Sequence, residues 1–235
     1  LITVNPDLSA GSVGTAQTIC YNATPSGLTS ISAASGGSGA YTYGWQSSSD
    51  NTTFSDIAST NATTYSPGAL TANTYYRRKV TAATCGGTKF SASILITVNP
   101  DLSAGSVGTA QTICSNTAPI GLTSTAAPAG GTGSYTYQWQ SSSDNSTWSA
   151  IGGATSSTYS PGALTSNTYY RRAVTSGSCG TLYSSSVLIS VNTITVAPGG
   201  ITNGLSVWLK ADAGTSSLGT SWQDQSCYAN HYTTV

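Results

Sequence analysis

A chain of 235 residues with 6% charged side chains and no formal net charge lacks the basic surface that nucleic acids require and the polybasic segment that anchors proteins to membranes. Its 14 Tyr and 5 Trp residues argue against intrinsic disorder, because disordered chains combine few aromatic residues with high charge. No apolar run approaches the roughly 18 residues that a membrane-spanning helix needs. Neutral Ser, Thr, Asn and Gly side chains must therefore supply the solubility.

The sequence contains two copies of one segment at an offset of 94 residues. Four motifs return in the same order and spacing: QTIC (residues 17–20 and 111–114), YTYxWQSSSD (41–50 and 135–144), TYSPGAL (64–70 and 158–164) and TYYRR (74–78 and 168–172). A unit of this length is the size of one small β-sandwich. We therefore predict two domains, residues 1–98 and 99–192, each with its own hydrophobic core.

Short segments that favour β-strands alternate with clusters of Gly, Pro, Asn and Ser, and no helical period extends over a useful length. In the first repeat the predicted strands are residues 12–21, 28–33, 41–47, 53–57, 63–66, 74–81 and 89–98. The last strand runs through Asn99-Pro100 directly into the second repeat, and this short, stiff connection predicts a rod-like array. The predicted fold class is all-β, with tandem immunoglobulin-like or fibronectin type III-like sandwiches.

Two aromatic positions indicate this sandwich. Tyr41, Tyr43 and Trp45 alternate along one strand, so they share a face, on which Trp45 is the predicted core anchor. Tyr76 has the spacing of a tyrosine corner, in which the hydroxyl ties back to the preceding turn. Both positions recur in the second repeat, as Trp139 and Tyr170. The alternative is that these aromatic residues form an exposed platform on which sugars stack.

Each repeat also carries two adjacent arginines, Arg77 and Arg78 in the first and Arg171 and Arg172 in the second. Neighbours on a strand face opposite sides, so Arg78 would point inward with Tyr76 and would need a carboxylate or carbonyl groups as partners. Asp50 and its counterpart Asp144 are the candidate carboxylates. We expect instead that Arg78 lies near the end of the sandwich and that its guanidinium reaches solvent.

Five cysteines occur as one pair in each repeat, Cys20 with Cys85 and Cys114 with Cys179, and as Cys227 near the end of the chain. Paired cysteines without metal-site spacing favour disulfides and an oxidising, extracellular environment over buried thiols. We predict bonds within each repeat, Cys20–Cys85 and Cys114–Cys179, and an unpaired Cys227. The competing pattern joins Cys20 to Cys179 and leaves Cys85 and Cys114 to find other partners.

Geometry sets the condition for the bonds within a repeat. In an immunoglobulin-like strand order, Cys85 follows the sixth strand and lies at one end of the sandwich. A disulfide cannot bridge Cα atoms that are more than about 7 Å apart, so Cys20 must lie at that same end. This requires that residues 22–27 make the turn into the second strand, which leaves Cys20 beside the last strand. We expect this arrangement.

The four motifs together resemble the immunoglobulin-like repeats of very large cell-surface proteins of Bacteroidota, including gliding-motility adhesins exported by the type 9 secretion system. The resemblance implies secreted, filament-forming repeats at the outer-membrane surface of a Gram-negative bacterium. WLKADAG (residues 208–214) and SWQDQS (221–226) resemble the opening of a concanavalin-like or laminin-G-like domain, so residues 193–235 are interpreted as a linker and the truncated start of such a domain. Cys227 and Tyr228 depart from the Gly-Asn expected there.

Catalytic, cofactor-binding and metal-ligating residues are not predicted. The one His, His231, lies near the end of the chain, and Asp212 and Asp224 are the two acids of the segment that follows the repeats, which makes a weak carboxylate pair. Because the chain starts within a strand-like segment and contains no Met, we interpret it as part of a longer protein.

The hypothesis is a non-enzymatic stalk that projects a binding domain and needs no cofactor. A carbohydrate-binding surface protein and accessory modules of a secreted hydrolase are the alternatives. Expected partners are neighbouring repeats of the same chain and, through domains outside it, a surface polysaccharide or substratum. Nucleic acid binding and membrane insertion are not expected.

Overall fold

The computed structural model describes residues 4–37, 40–193, 221–222 and 232–233. Two compact units make up residues 4–193. Unit 1 comprises residues 4–37 and 40–102 together with Gly130–Ser134 and Gly177–Cys179, and unit 2 comprises Ser103–Ala129, Tyr135–Ser176 and residues 180–193. Two short segments from the second repeat of the sequence are thus part of the first compact unit.

The first repeat folds into eight strands: β1 (Ser12–Val13), β2 (Gln17–Ile19), β3 (Ser30–Ser32), β4 (Tyr41–Ser48), β5 (Ser55–Asp56), β6 (Thr74–Ala82), β7 (Thr88–Phe90) and β8 (Ile94–Val98). Six of them form a sheet in the order β2-β8-β6-β4-β5, with β7 also paired to β6. The second layer consists of the β1–β3 pair, extended by single bridges that join Leu28 to Tyr65 and Ala23 to Leu70. Among the strands that the structure describes in this repeat, β2 and β8 form the one parallel pair.

The second repeat has the same topology. Its strands are β9 (Ser106–Val107), β10 (Gln111–Cys114), β11 (Ser124–Ala126), β12 (Thr136–Ser142), β13 (Ser149–Ala150), β14 (Thr168–Thr175), β15 (Thr181–Tyr183) and β16 (Val187–Asn192), with a 3₁₀ turn at Gly177–Cys179. The sheet order is β10-β16-β14-β12-β13, with β15 on β14, and β9 pairs with β11. The part of the chain that the structure describes contains no α-helix, so the predicted all-β, tandem immunoglobulin-like architecture is confirmed.

Three strands differ from the prediction. The predicted strand at residues 89–98 is divided into β7 and β8, which residues 91–93 separate. The predicted strand at residues 12–21 divides at Gly14, which has a φ of +46°: β1 before it pairs with β3, and β2 after it pairs with β8 in the other sheet. A left-handed φ of this kind favours glycine and interrupts an extended strand. The predicted strand at residues 63–66 is reduced to the Tyr65 bridge.

The prediction of a truncated domain at residues 193–235 lies almost entirely outside the described residues. Only two short strands are seen there, β17 (Ser221–Trp222) and β18 (Tyr232–Thr233), which pair antiparallel.

The core of the first repeat surrounds Trp45, whose side chain is fully buried and donates its indole N–H to the carbonyl of Ala62 at 3.1 Å. Tyr76 is also buried, and its ring lies 5.7 Å from that of Tyr65. In the second repeat Trp139 and Tyr170 take the same places. Buried rings offer no face to a sugar. The tie-back of the Tyr76 hydroxyl to the preceding turn stays a prediction.

Arg78 is fully buried, next to the Trp45 core. Its inward neighbours on β6 are Tyr76, in the Trp45 cluster, and Val80, in a second apolar cluster with Leu8. The guanidinium therefore lies between two hydrophobic clusters. Burial lowers the pKa of this guanidinium from its ordinary value, an effect opposed by the nearby Tyr43.

Within the part of the chain that the structure describes, this guanidinium donates hydrogen bonds to carbonyl and hydroxyl oxygens and to no carboxylate. Nη2 donates to the carbonyls of Ala10 at 2.5 Å and Ser32 at 3.0 Å, and Nη1 donates to the hydroxyl of Ser30 at 2.7 Å. Nε has no partner within the described structure. Arg78 thereby connects the central strand β6 to β3 and to the segment that leads into β1.

The expectation that Arg78 reaches solvent is therefore wrong, as is the candidate pairing with Asp50. Arg78 faces the small second layer, whose strands are so short that many of their carbonyls are left for the guanidinium. Arg172 repeats the arrangement: it is fully buried and donates to the hydroxyl of Ser124 and to the carbonyls of Ser157 and Ala104.

Replacing Arg78 by Met is expected to destabilise the first repeat by roughly 3 kcal/mol or more, because several buried acceptors then lose their donor and each costs about 1–3 kcal/mol. Arg78→Lys should restore only part of this loss, since an ammonium lacks the planar, forked geometry of guanidinium. Urea unfolding measures both effects. The control is Arg77→Met, on the opposite face of the same strand, where a much smaller loss is expected. Equal unfolding midpoints for Arg78→Met and the wild type would contradict the role of this guanidinium.

Candidate functional site

A disulfide joins Cys20, which directly follows β2, to Cys179, the last residue of the 3₁₀ turn, with 5.3 Å between the Cα atoms. Both cysteines belong to unit 1. Cys85 is free and exposed, and Cys114 is itself part of a disulfide. The structure thus corrects the predicted bonds within each repeat and has the competing bond, Cys20–Cys179. Cys227 lies outside the described residues.

Strand direction explains why Cys20 does not reach Cys85. Because β2 runs parallel to β8, with Ile19 opposite Val98, Cys20 lies beyond the end of β8. Since β8 is antiparallel to β6, that end is beside Thr74, where β6 begins, whereas Cys85 comes after β6 has ended. The nine residues of β6 span roughly 30 Å at about 3.3 Å each. Cys20 does lie beside the last strand, β8, as expected, but at the end of the sandwich opposite to Cys85.

Polar contacts surround the Cys20–Cys179 bond. The hydroxyl of Ser178 lies 4.0 Å from the sulfur of Cys20, and the side-chain amide of Asn99 donates to the sulfur of Cys179 at 3.7 Å. The next residue, Pro100, accepts a backbone hydrogen bond from Gly131 at 2.8 Å. The segment that connects the two repeats of the sequence is therefore held at both Asn99 and Pro100.

A stacked guanidinium lies on the outer face of the six-stranded sheet, the face opposite Trp45. The guanidinium of Arg77 lies between the rings of Phe54 and Phe90, 3.8 and 4.2 Å from their centres, and its Nε donates to Gln46. The second repeat keeps this arrangement with different aromatic residues, since Arg171 lies between Trp148 and Tyr183 and donates to Gln140. Sequence reasoning missed these pairs, because the aromatic residues stand outside the repeated motifs.

An open cleft of about 440 Å³ lies beside this stack in the first repeat. Gly44 lines it together with Thr60, Asn61, Asp56 and Lys79. The ammonium of Lys79 and the carboxylate of Asp56 are 2.9 Å apart, with side chains 34% and 60% exposed. Hydrogen-bond donors and acceptors therefore face the cleft from several sides.

The second repeat has a side chain where the first has this cleft. Gln138 stands at the position of Gly44, and its amide donates to the carbonyls of Trp139 at 2.9 Å and Ile151 at 2.8 Å. Ala150 and Ala173 replace the ion pair. Comparing the two repeats position by position in the sequence would have revealed these three differences.

Asp50 caps its own loop. One carboxylate oxygen accepts hydrogen bonds from the backbone N–H groups of Thr52 and Thr53, each 2.8 Å long, and from the hydroxyl of Ser48. These bonds to Thr52, Thr53 and Ser48 hold the pKa of the Asp50 carboxyl well below its ordinary value of 3.8. Asp144 has the same geometry, and the backbone N–H groups of Thr147 and Ser146 lower the pKa of its carboxyl in the same way.

The residues that the structure describes contain no cluster of three or more His, Cys, Asp or Glu side chains able to hold a metal ion. They also contain no helix with the length and hydrophobicity needed to cross a bilayer. His231, Asp212 and Asp224 lie outside the described residues. The features left for functional interpretation are the disulfide, the stacked arginines and the cleft.

Stability should be constant at neutral pH and fall in acid because of Asp50 and Asp144. Their carboxyl pKa is lowered only in the folded state, so as pH falls below about 5 the unfolded chain takes up protons first, and stability declines toward the folded pKa. Melting temperatures at pH 7 and pH 3 measure this. The double variant Asp50→Asn, Asp144→Asn should melt lower at pH 7 but lose less on acidification. An unchanged difference between the two pH values would contradict the role of these caps.

Two comparisons concern the sequence itself. A family model described as a domain of unknown function, DUF8696, matches residues 9–100 and again residues 103–193. Comparison with curated proteins finds no match.

Solved structures with similar backbones include tandem domains from several proteins, two of which are described as immunoglobulin domains. A titin structure of three immunoglobulin domains is 11% identical, has a TM-score of 0.43, and the match covers 78% of this chain and 64% of that one. For extracellular domains 3–5 of Drosophila OTK the identity is 16%, the TM-score 0.41 and the coverage 76% and 60%. Immunoglobulin domains 1–5 of Sidekick-1 are 15% identical, with a TM-score of 0.39 and coverage of 80% and 38%.

The chain thus spans about three fifths of the length of the first two of these structures. These similarities carry no inference about function. The family model, in contrast, covers most of the chain in two successive matches that coincide with the two repeats. The chain therefore belongs to the DUF8696 family and contains two tandem copies of its domain.

Proposed function

We propose that the two domains are spacer repeats of an extracellular protein, which hold a binding domain away from the cell surface. The observation that carries this proposal is the Cys20–Cys179 bond, which closes a loop with a sequence separation of 159. In the chain-entropy model a loop of this length stabilises the folded state by roughly 5 kcal/mol. The bond also requires an oxidising environment, which is typical of secreted proteins.

The bond supports a mechanical role, because it prevents the enclosed residues from being extended when the chain is pulled at its ends. The small number of ion pairs on the surface also supports a role as a spacer. Lys79–Asp56 is the one ion pair found in the described part of the chain, and an exposed pair contributes at most about 1 kcal/mol and weakens with salt. The stability of these domains should thus depend little on the ionic strength of their surroundings.

The finer assignment belongs to the same proposal. The repeats would form part of the stalk of a secreted adhesin at the outer-membrane surface of a Gram-negative bacterium, exported by type 9 secretion and used in adhesion or gliding motility. The resemblance of the four repeated motifs to such proteins supports this assignment. The rod shape expected from the short connection at Pro100 is part of the proposal as well.

Single-molecule stretching of the chain tethered at both ends tests the spacer role. Cys20→Ser should lengthen the fully extended chain by up to about 500 Å, because residues inside the loop are released and each adds about 3.3 Å. Cys85→Ser is the matched control and should keep the wild-type length, since it removes a cysteine that is not in the bond. Equal lengths for Cys20→Ser and wild type would show that the bond does not restrain the chain, and would contradict the proposal.

Carbohydrate binding is the second candidate function, and the cleft around Gly44 favours it. A volume of about 440 Å³ is within the usual range of small-molecule sites. The ammonium of Lys79, the carboxylate of Asp56 and the amide of Asn61 provide donors and acceptors of the kind that the hydroxyl groups of a sugar require. In this case only the first repeat would bind.

A glycan array probed with the full chain tests this second candidate. Gly44→Gln should abolish binding, because glutamine would fill the cleft as Gln138 does in the second repeat. A Cβ at Gly44 meets no atom closer than 3.7 Å, so the variant should fold normally. Glycan binding that persists in Gly44→Gln would place the site elsewhere, and an array without signal would exclude the candidate.

A further inference from the structure

Cys85 is the counterpart of Cys179, but only Cys179 has a disulfide partner. Both cysteines stand nine residues after an equivalent buried tyrosine, Tyr76 or Tyr170. Cys179 is bonded to Cys20, whereas Cys85 is free and exposed. The same position of the domain therefore holds a disulfide-bonded cysteine in the second repeat and a free, exposed thiol in the first.

One backbone hydrogen bond next to the two cysteines is also shared by the two repeats. Gly37 donates its N–H to the carbonyl of Pro6 at 2.8 Å, as Gly131 does to the carbonyl of Pro100. The loops themselves differ between the strand and the cysteine, since Gly177–Cys179 form a 3₁₀ turn in which Gly177 has a φ of +50°, whereas residues 83–85 form bends and Ala83 stands at the position of Gly177. The first repeat thus presents Cys85 beside the same backbone hydrogen bond, on a loop with a different local conformation.

Unit 1 reveals what such a loop can bind. In it, Gly130–Ser134 and Gly177–Cys179 contact the end of the first repeat at which Cys20 and Asn99 lie. The counterparts of these two segments in the first repeat are residues 36–40 and 83–85. Asn99 donates to the sulfur of Cys179, so the complementary surface carries a cysteine and an asparagine side by side.

We propose that the loop of Cys85 is the attachment site for another DUF8696 domain, which presents a cysteine at the position of Cys20. This inference rests on the proposed spacer function and adds a partner and a direction of assembly. The partner cannot be Cys20 of the same domain, which is bonded to Cys179 and lies at the far end of β6. Contacts that join the end of one domain to the opposite end of the next do not close by symmetry, so they extend an array in one direction.

The chemistry is thiol–disulfide exchange with a low-molecular-weight disulfide as the oxidant. The thiolate of Cys85 attacks this disulfide, forms a mixed disulfide and releases one small thiol. The thiolate of the partner cysteine then attacks the Cys85 sulfur and releases the second small thiol. Two protein thiols and one small disulfide therefore yield one protein disulfide and two small thiols.

The test uses the full chain with Cys179→Ser, which frees Cys20 so that one molecule can offer Cys20 to Cys85 of another. The protein is oxidised with glutathione disulfide, and cross-linked peptides are mapped by mass spectrometry, with mixed isotope labels to identify bonds between molecules. Among the bonds between molecules that join these two cysteines to one another or to themselves, Cys20–Cys85 should account for roughly three quarters or more, against about one half for random pairing, because the contact joins unlike ends. Random proportions, or a majority of Cys85–Cys85 bonds, would overturn the proposal.

The control moves the exposed thiol by two positions, with Cys85→Ser and Ala83→Cys in the same Cys179→Ser background, and should give random pairing. If circular dichroism shows that Cys179→Ser does not fold, the wild-type chain is reduced and reoxidised at high concentration, and Cys20–Cys85 bonds between molecules should again exceed Cys85–Cys85 bonds. The stretching experiment concerns Cys20–Cys179 within one molecule. Random pairing in the cross-linking experiment would therefore not contradict the spacer function. Equal extended lengths in the stretching experiment would in turn not decide whether Cys85 pairs with Cys20 of another molecule.

Discussion

The interaction on which each domain depends is a buried guanidinium that donates hydrogen bonds to carbonyl and hydroxyl oxygens in place of a carboxylate. The second layer of the sandwich is small, since β1 has two residues and β3 three, and so short a pair of strands is not stable by itself. Arg78 donates to Ala10, Ser30 and Ser32 and so attaches this layer to the central strand β6. Arg172 does the same in the second repeat.

The attached layer also determines where the cysteines lie. The chain leaves β1 at Gly14, crosses to the other sheet and runs as β2 parallel to β8. This direction carries Cys20 away from Cys85 and toward Asn99, so the disulfide forms at the end of the first repeat from which the second begins. The bond that supports the spacer role therefore results from the crossing of the chain at Gly14, from the small layer to the large sheet.

On the outer face of the large sheet, one feature is the same in both repeats and another differs between them. Both repeats keep an arginine stacked between two aromatic rings, as Arg77 and Arg171 show. Beside it, Gly44 leaves a cleft that Gln138 fills in the other repeat. The two repeats differ there at three positions, since Gln138, Ala150 and Ala173 stand where the first repeat has Gly44, Asp56 and Lys79, while both repeats keep the core around Trp45 and Trp139.

The repeat, the all-β class and core positions such as Trp45 could be predicted from the amino-acid sequence, because periodicity and β-propensity are local properties of the chain. The environment of Arg78 follows from the folded structure, since Ser30, Ser32 and Ala10, to which its guanidinium donates, lie 46 to 68 positions away in the sequence. The folded structure also decided the disulfide, because the parallel pairing of β2 with β8 is a long-range contact that leaves no local pattern. Residue spacing shows which side chains share a strand face, whereas the end at which two strands meet depends on the whole sheet.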